Sequence, residues 1–190
     1  MSALLLGPVA VLVPVKAFDD AKVRLAPALG PAERSALARA MAERVVAAAR
    51  HLPVAVVCDD RDVATWARAL GVLVVWEPGR GLNGAVEAGV HRLAGFGVEQ
   101  VVVAHADLPL ADDLTWLADF DGVTLVPDRA SDGTNVACVP TEAGFRFAYG
   151  PGSFARHQAE ARRLGLAVRV VREPSLEWDV DVPDDLTTLA

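Results

Sequence analysis

The sequence predicts an α/β fold built on a largely parallel sheet. Short runs rich in Val and Leu alternate with alanine-rich stretches of helical periodicity, which is the pattern of βα units. In such units helices cover both faces of the sheet, so the strands read as nearly continuous apolar runs. No repeat, low-complexity segment or linker divides the 190 residues, and we therefore expect one domain over residues 1–190.

The apolar runs give the order of the elements. Strands are expected at Val9–Val15, Val54–Cys58, Val72–Trp76, Gln100–Ala104, Val123–Val126, Thr134–Val139, Ala167–Val171 and Glu177–Asp181. The clearest helix is GPAERSALARAMAERVVAAAR, because Pro31 suits a first turn and Glu33 lies near the positive end of the helix dipole. Further helices are expected at Asp60–Leu70, Asn83–Leu93, Ala111–Asp119 and Ser153–Leu164.

The charge and the hydropathy pattern argue against nucleic acid and membranes as partners. The 18 basic and 25 acidic residues give a formal net charge of −7, which disfavours a general polyanion-binding surface. The opening run MSALLLGPVAVLVPV has no basic region before it and contains Pro8 and Pro14, so it predicts a buried first strand rather than an export signal. Charges interrupt the later apolar runs before the ~18 residues of a membrane span. We expect a cytoplasmic protein.

Cysteines and histidines form no catalytic or metal-binding pattern. Cys58 and Cys138 are isolated within apolar runs, which predicts buried, reduced thiols. The histidines at positions 51, 91, 105 and 157 are scattered singly and are assigned no role. The chemistry is therefore expected from the loops that follow the strands.

A cationic loop follows the first strand. The segment VPVKAFDDAKVRLAPALG carries Lys16, Lys22 and Arg24. Ligands of open α/β sheets gather beyond the carboxyl ends of the strands, so this loop suits a phosphate-rich substrate, although ordinary solvated surface charge fits it too. Neither GxxxxGK[ST] nor GxGxxG occurs, so no P-loop or dinucleotide fingerprint is predicted.

A glycine-rich turn follows the third strand. EPGRGLNGAVEAG combines Gly79, Gly81 and Gly84 with Asn83, which we place at a helix N-cap. Glycines let a ligand approach the backbone closely, so Gly81, Asn83 and Gly84 could hold a base and ribose. A purely structural strand-to-helix turn explains the segment equally well.

An aspartate ends the fourth strand. In VVVAHADLPLADD, Asp107 comes just past the buried run, where a carboxylate is well placed for a hard metal ion. Asp112 and Asp113 are instead interpreted as helix caps.

Two later loops carry polar ligand candidates. In PDRASDGTNVACV, Asp132 and Gly133 are typical of a turn, whereas Thr134 and Asn135 are candidates for ligand contacts. In FAYGPGSFARHQAEARRLG, Gly150 and Ser153 flank a helix start whose free N–H groups suit a phosphate or carboxylate. Helix capping by Ser153 is the alternative.

The chain then reaches WDVDVPDDL. Asp179 and Asp181 are two residues apart, about 6–7 Å along a strand, so an extended segment presents both carboxylates on one face. Like charges held together call for a cation, and Mg²⁺ accepts one or two carboxylates plus phosphate oxygens. Two exposed acids before a terminal cap are the alternative. Together with the cationic loop, the glycine turn and Asp107, this pair predicts a site for a metal-bound nucleoside triphosphate.

At this point the chain resembles the phosphoenolpyruvate / 2-phospho-L-lactate guanylyltransferases, which begin assembly of the deazaflavin coenzyme F-420. The resemblance is carried by VPVKAFDDAKVRLAP, GLNGAVEAG, ADLPL, PDRASDGTNV, FAYGPGSFARH and DVDVPDDL, and it spans nearly the whole chain. It implies a single Rossmann-like, three-layer α/β/α domain of the nucleotide-diphospho-sugar transferase type, with a mostly parallel mixed sheet.

The resemblance also implies the roles of the site residues. Asp107, Asp179 and Asp181 would hold Mg²⁺, and Lys16, Lys22 and Arg24 would face the triphosphate of GTP. Thr134, Gly150 and Ser153, with Asn135 beside them, would hold a small phosphorylated acid.

The acceptor is not fixed by the sequence. Phosphoenolpyruvate, 2-phospho-L-lactate and 3-phospho-D-glycerate all fit, with phosphoenolpyruvate preferred, and a downstream transferase is expected to consume the labile product. Other nucleotidyltransferases, metal-dependent glycosyltransferases and a non-catalytic nucleotide-sensing module remain alternatives.

Overall fold

A computed structural model describes residues 6–189, and seven strands within them form one mixed sheet. The strands are β1 (Val9–Pro14), β2 (Val54–Cys58), β3 (Leu73–Trp76), β4 (Gln100–Ala104), β5 (Val123–Pro127), β6 (Thr134–Pro140) and β7 (Val168–Val170). Their order across the sheet is β3-β2-β1-β4-β6-β5-β7. Residues 1–5 and 190, which the sequence prediction includes in one domain, lie outside the described residues.

Helices cover both faces of the sheet. They are α1 (Pro31–Ala48), α2 (Arg61–Ala69), α3 (Gly81–Ala94), α4 (Ser153–Arg163) and the short α5 (Pro174–Glu177), and short 3₁₀ turns connect several elements. The side chains of β1 alternate between two core clusters: Val11 and Val13 pack with α1 and α2, while Ala10 and Leu12 pack with α3 and α4. The predicted three-layer α/β fold with a mostly parallel mixed sheet is confirmed.

One strand runs against the others. β6 pairs antiparallel with both β4 and β5, and the pair Ala104 and Val136 marks the end of the β4 ladder. Because β6 is reversed, its first residues lie at the edge of the sheet where the parallel strands end. The backbone bond from the N–H of His105 to the carbonyl of Asn135, 3.0 Å, continues this alignment beyond the ladder.

Two predicted elements are wrong. Glu177–Asp181 is not a strand: Pro174 starts α5, and the alternating Val180 is buried in a small cluster with Leu25 and Met41 instead of pairing in the sheet. The helix expected over Ala111–Asp119 is reduced to a 3₁₀ turn at Thr115–Ala118, because the carboxylate of Asp113 accepts the N–H and the hydroxyl of Thr115 and starts the turn late.

The prediction for the two cysteines is confirmed. Cys58 and Cys138 are buried free thiols, and burial raises the pKa of Cys138 to about 12. Within residues 6–189, no helix combines the length and the apolar surface needed to cross a membrane.

Candidate active site

The candidate site lies where the strand order reverses, between β1 and β4. From β1 the sheet continues to β2 and β3, and from β4 it continues in the opposite direction to β6, β5 and β7. The loops beyond the carboxyl ends of β1 and β4 therefore diverge and form a crevice. A cavity of about 300 Å³ occupies this position. Lys16, Lys22, His105 and Asp107 are among the residues that line it, so two of the separately predicted loops meet there.

Lys22 joins two of the predicted metal ligands. Its ammonium lies 2.6 Å from Asp107 Oδ2 and 3.2 Å from Asp181 Oδ1, across 85 and 159 residues of sequence. The Lys22 side chain is only 11% exposed, and its backbone adopts a left-handed conformation with φ 55°. This conformation is costly for a residue with a side chain.

The same contacts perturb the titration of both partners. Burial alone would lower the pKa of Lys22, but the carboxylates of Asp107 and Asp181 raise it above its ordinary value. Burial alone would raise the pKa of Asp107, yet the Lys22 ammonium holds it below its usual range. At neutral pH the pair is therefore ionised, and Arg24 adds a weaker, exposed contact of 3.4 Å to Asp181.

Asp179 lies in the same negative environment without an ion pair to any residue between 6 and 189. Burial, reinforced by the charges of Asp107 and Asp181, raises the pKa of Asp179 to about 6. Three acids are thus electrostatically coupled, and Lys22 and Arg24 contact only two of them.

These acids fit a hard cation in part. In the described part of the chain, no three carboxylate, imidazole or thiol groups converge into a complete metal cage. However, Asp107 Oδ1 is buried and has no hydrogen-bond partner there, which leaves it able to ligate a cation. Mg²⁺ usually takes one or two carboxylates and completes its shell with water and phosphate oxygens, so this donor set suits a metal that arrives with a nucleotide.

A polar scaffold fixes the segment that carries Asp179 and Asp181. Asp185 Oδ2 accepts the N–H groups of Asp181 and Val182 at 2.8 and 2.9 Å, while its Oδ1 pairs with Arg129 at 2.5 Å. The Arg129 guanidinium also stacks over the Trp178 ring, 3.7 Å from its centroid. Asp185 thus fixes the backbone of the acidic segment through Oδ2 and joins that segment to Arg129 through Oδ1.

Asn135 holds the same segment from the sheet side. Its side-chain N–H groups donate to the carbonyls of Leu176 and Glu177 at 3.1 and 3.0 Å, and the residue is 3% exposed. These donors are therefore engaged within the protein and are not available to an acceptor.

The glycine-rich turn differs from its prediction in one respect. α3 begins at Gly81, so Asn83 lies inside the helix and is not its N-cap. Asn83 Oδ1 instead accepts the N–H of Tyr149 at 2.7 Å and ties α3 to the later glycine loop. A second cavity beside the first is lined by Lys16, Gly81 and Glu77, among others, so Gly81 does border the crevice.

The later loops meet at the edge where β6 begins. Gly150 and Gly152 have φ of 112° and 72°, conformations that favour glycine, and they lead directly into α4. Gly152 is the N-cap, so Ser153 is the first helical residue, and no side-chain capping bond is present. Asp132 binds the Gly152 N–H at 2.9 Å and thereby holds this loop against the turn before Thr134.

Two histidines that received no role in the sequence analysis lie in the region of the candidate site. His157 is fully buried and its Nδ1 lies 3.0 Å from Thr134 Oγ1, while His105 lines the first cavity. A signal for His157 was present, since it follows Ser153 by four residues and shares its face of α4.

Comparison with known proteins gives a family. The model of the family described as "Guanylyl transferase CofC like" matches residues 9–190. A phosphoenolpyruvate guanylyltransferase of Sphaerobacter thermophilus is 37% identical over 94% of this chain and 91% of its own length. A phosphoenolpyruvate guanylyltransferase of Roseiflexus castenholzii is 40% identical over 94% of this chain and 86% of its own length. A 2-phospho-L-lactate guanylyltransferase of Methanothermobacter thermautotrophicus is 36% identical over 92% of this chain and 81% of its own length.

Solved structures support the fold. A candidate nucleotide-diphospho-sugar transferase of Desulfovibrio desulfuricans aligns with a TM-score of 0.76 at 18% identity, over 96% of this chain and 86% of the other. A nucleotidyl transferase from Methanothermobacter aligns with a TM-score of 0.66 at 15% identity, over 96% of each chain.

Proposed function

The chain belongs to the family of CofC-like guanylyl transferases, and from this membership we propose that it transfers GMP from GTP to the phosphate of phosphoenolpyruvate or 2-phospho-L-lactate. Pyrophosphate is released, and the product is an early intermediate of coenzyme F-420 biosynthesis. Phosphoenolpyruvate is the preferred acceptor because the relatives from Sphaerobacter and Roseiflexus carry its name.

The observation that carries the proposal is the contact of Lys22 with Asp107 and Asp181 at the sheet crevice. Cations and acids from three distant segments meet where α/β sheets bind nucleotides. A nucleoside triphosphate with a divalent cation needs both kinds of group, because the cations bind phosphate oxygens and the acids bind the metal.

On the donor side, Lys16, Lys22 and Arg24 bind the triphosphate of GTP. Gly81 and Gly84, at the start of α3, lie against the base and ribose. Asn83 acts indirectly, because its side-chain oxygen already holds the Tyr149 N–H.

On the acceptor side, Thr134, Gly150 and Ser153 bind the anionic groups of the phosphorylated acid. The N-terminal end of α4 supplies free N–H groups and a favourable dipole for an anion. Asn135 supports this set by fixing the chain before Trp178.

Asp107, Asp179 and Asp181 hold Mg²⁺, which neutralises phosphate charge when it is bound. When no nucleotide is bound, Lys22 partly neutralises two of these acids, Asp107 and Asp181. Asp185 and Arg129 keep the acidic segment in register with Asp107.

The residues present need only to position and neutralise the reactants. An oxygen of the acceptor phosphate is already anionic at neutral pH, so its attack on the α-phosphorus requires no general base. That oxygen forms the new P–O bond as the bond to pyrophosphate breaks, and Lys16, Lys22 and Arg24 stabilise the charge that develops on the leaving group. The sequence predicts no Ser-His-Asp or Cys-His arrangement, and this chemistry needs none.

The test is magnesium-dependent release of pyrophosphate from GTP with each of the three phosphorylated acids, with none, and with ATP or CTP as donor. We expect release only when GTP and one acid are present together, and the downstream transferase is included to consume the labile product. Asp107→Asn should abolish release in a folded protein, and Ser153→Ala should mainly raise the acceptor KM. Equal release without any acid would contradict the proposal.

Residues 1–190 act as a single catalytic domain, and the reaction takes place in the cytoplasm, where GTP and phosphorylated acids are available. Neither nucleic acid nor a membrane takes part.

A further inference from the structure

His157 is buried behind the edge where the acceptor is expected to bind. It lies on α4, four residues after Ser153, and is 0% exposed. One ring nitrogen, Nδ1, lies 3.0 Å from Thr134 Oγ1. The other, Nε2, accepts the backbone N–H of Ala148 at 2.9 Å.

These two contacts determine which nitrogen carries the hydrogen. A ring nitrogen that accepts an N–H must present its lone pair, so Nε2 is unprotonated and the neutral ring carries its hydrogen on Nδ1. The surroundings favour the neutral ring, because the aromatic rings of Phe145 and Tyr149 lie 5.8 and 4.9 Å from it, centroid to centroid. Burial also lowers the pKa of His157 to about 4. Nδ1–H therefore donates to Thr134.

This donation decides what Thr134 offers to a ligand. A threonine hydroxyl has one hydrogen and two lone pairs, and His157 engages a lone pair. Among the groups that the structure describes, none accepts the hydrogen of the Thr134 hydroxyl. This tautomer therefore leaves that hydrogen without a partner on a residue that is 2% exposed, so a bound acceptor oxygen has to reach it at the start of β6, whereas the opposite tautomer would consume the hydrogen and turn a lone pair toward the anion.

We propose that His157 is a positioning residue that directs the hydroxyl hydrogen of Thr134 toward an anionic group of the acceptor. The inference rests on the proposed function, and it adds a residue that acts through Thr134 without touching the substrate. The loop that carries Gly150 takes part as well, because the Ala148 N–H sets the tautomer. Arg156 donates from Nη2 to the carbonyl of Ala148 at 2.7 Å and holds that residue in place.

The experiment measures binding and turnover for His157→Leu, Thr134→Val and the double variant. Equilibrium binding of phosphoenolpyruvate by calorimetry is compared with the KM values for acceptor and GTP. We expect each single change to weaken acceptor binding about tenfold while GTP binding stays within about twofold. The double variant should bind no worse than Thr134→Val alone, because His157 acts only through that hydroxyl.

Two further variants separate positioning from packing. His157→Gln keeps a donor and an acceptor on a side chain of similar length, so it should retain more acceptor affinity than His157→Leu, and it serves as the test if the leucine variant does not fold. Phe145→Leu disturbs the same aromatic cluster without a bond to Thr134, and it should leave acceptor affinity unchanged.

The tautomer has its own spectroscopic test. The nitrogen chemical shifts of the His157 ring in the wild type should report hydrogen on Nδ1, and hydrogen on Nε2 would overturn the inference. The inference would also be overturned if the losses of acceptor affinity added up in the double variant, or if Phe145→Leu lost as much acceptor affinity as His157→Leu. If the wild type binds no phosphorylated acid at all, the proposed function fails together with it; normal wild-type binding with unaffected His157 variants defeats the inference alone.

Discussion

Removing the Lys22 ammonium should strengthen binding of a divalent metal to the nucleotide-free protein. Lys22 bonds to Asp107 and Asp181, two of the three acids proposed to hold Mg²⁺. In Lys22→Met the hydrocarbon part of the side chain is kept and the charge is lost. Asp107 and Asp181 then lose the ammonium that neutralises them, and a divalent metal no longer has to displace it.

The size of the effect follows from the exposure of the acids. Two unit charges about 4 Å apart interact by roughly 1 kcal/mol in water and roughly 4 kcal/mol near a protein surface. The side chains of Asp107 and Asp181 are 25% and 47% exposed, so water screens the pair and the lower half of this range applies. A gain of about 1–2 kcal/mol corresponds to a Kd for the metal lowered roughly 5- to 30-fold.

The assay is titration of nucleotide-free protein with Mn²⁺, followed by electron paramagnetic resonance, with Mg²⁺ as competitor. Mg²⁺ should also raise the Tm of Lys22→Met more than that of the wild type. Lys16→Met is the matched control, because Lys16 lines the same cavity but makes no ion pair with a described residue. Both variants should lose guanylyl transfer, since both side chains are proposed to bind the triphosphate. Unchanged or weaker metal binding in a folded Lys22→Met protein would refute the reasoning.

Three other changes have defined outcomes. Asp185→Asn weakens the hydrogen bonds that hold the acidic segment, so the free energy of unfolding measured in urea should fall by about 1–3 kcal/mol. Steady-state kinetics should show a fall mainly in kcat. Wild-type values for both quantities would contradict the scaffold role. The folded pKa of His157, about 4, lies below its ordinary 6.5. The unfolded chain therefore binds the proton first, and this residue's contribution to stability should fall as pH drops from 6.5 toward 4, by ~1.4 kcal/mol per unit. Between pH 7 and pH 4.5 the free energy of unfolding measured in urea should fall more for the wild type than for His157→Gln. Equal falls in the two proteins would exclude the effect. In Gly89→Ala the new methyl group would lie 2.7 Å from Leu12 Cδ2 in a packed core, so stability should fall by roughly 1–3 kcal/mol; a rise in Tm would show that Leu12 can move.

The sequence predicts the sheet well because its buried strands are continuous apolar runs. β2 and β4 are predicted with their observed bounds. Glu177–Asp181 fails because its alternation has another cause: Val180 packs against Leu25 and Met41, outside the sheet. A period of two reports that alternate residues are buried, and it does not report whether a neighbouring strand is available to pair.

The site was predicted less completely, since its support comes from residues far apart in sequence. Asp107 and Asp181 could be chosen from their positions beside apolar runs, but the contacts of Lys22 with both acids join segments 85 and 159 residues apart, which no local pattern indicates. His157 looked like an isolated histidine because its partner, Thr134, is 23 residues away. Asn83 and Asn135 resembled ligand contacts because an amide that binds backbone and one that binds substrate look alike in a sequence.

Strand β4 separates the two halves of the proposed site. The cationic loop and Gly81 lie beyond β1 and β3, whereas Thr134 opens β6 on the other side of β4. Asp107 follows β4 and lies between these groups, so we expect it to serve both substrates and the residues on either side to serve one each. Changes to Gly81 should therefore affect the KM for GTP alone, and changes to Thr134 the KM for the acceptor alone. Only the acids near β4 should alter both, because the α-phosphorus and the attacking oxygen must meet there.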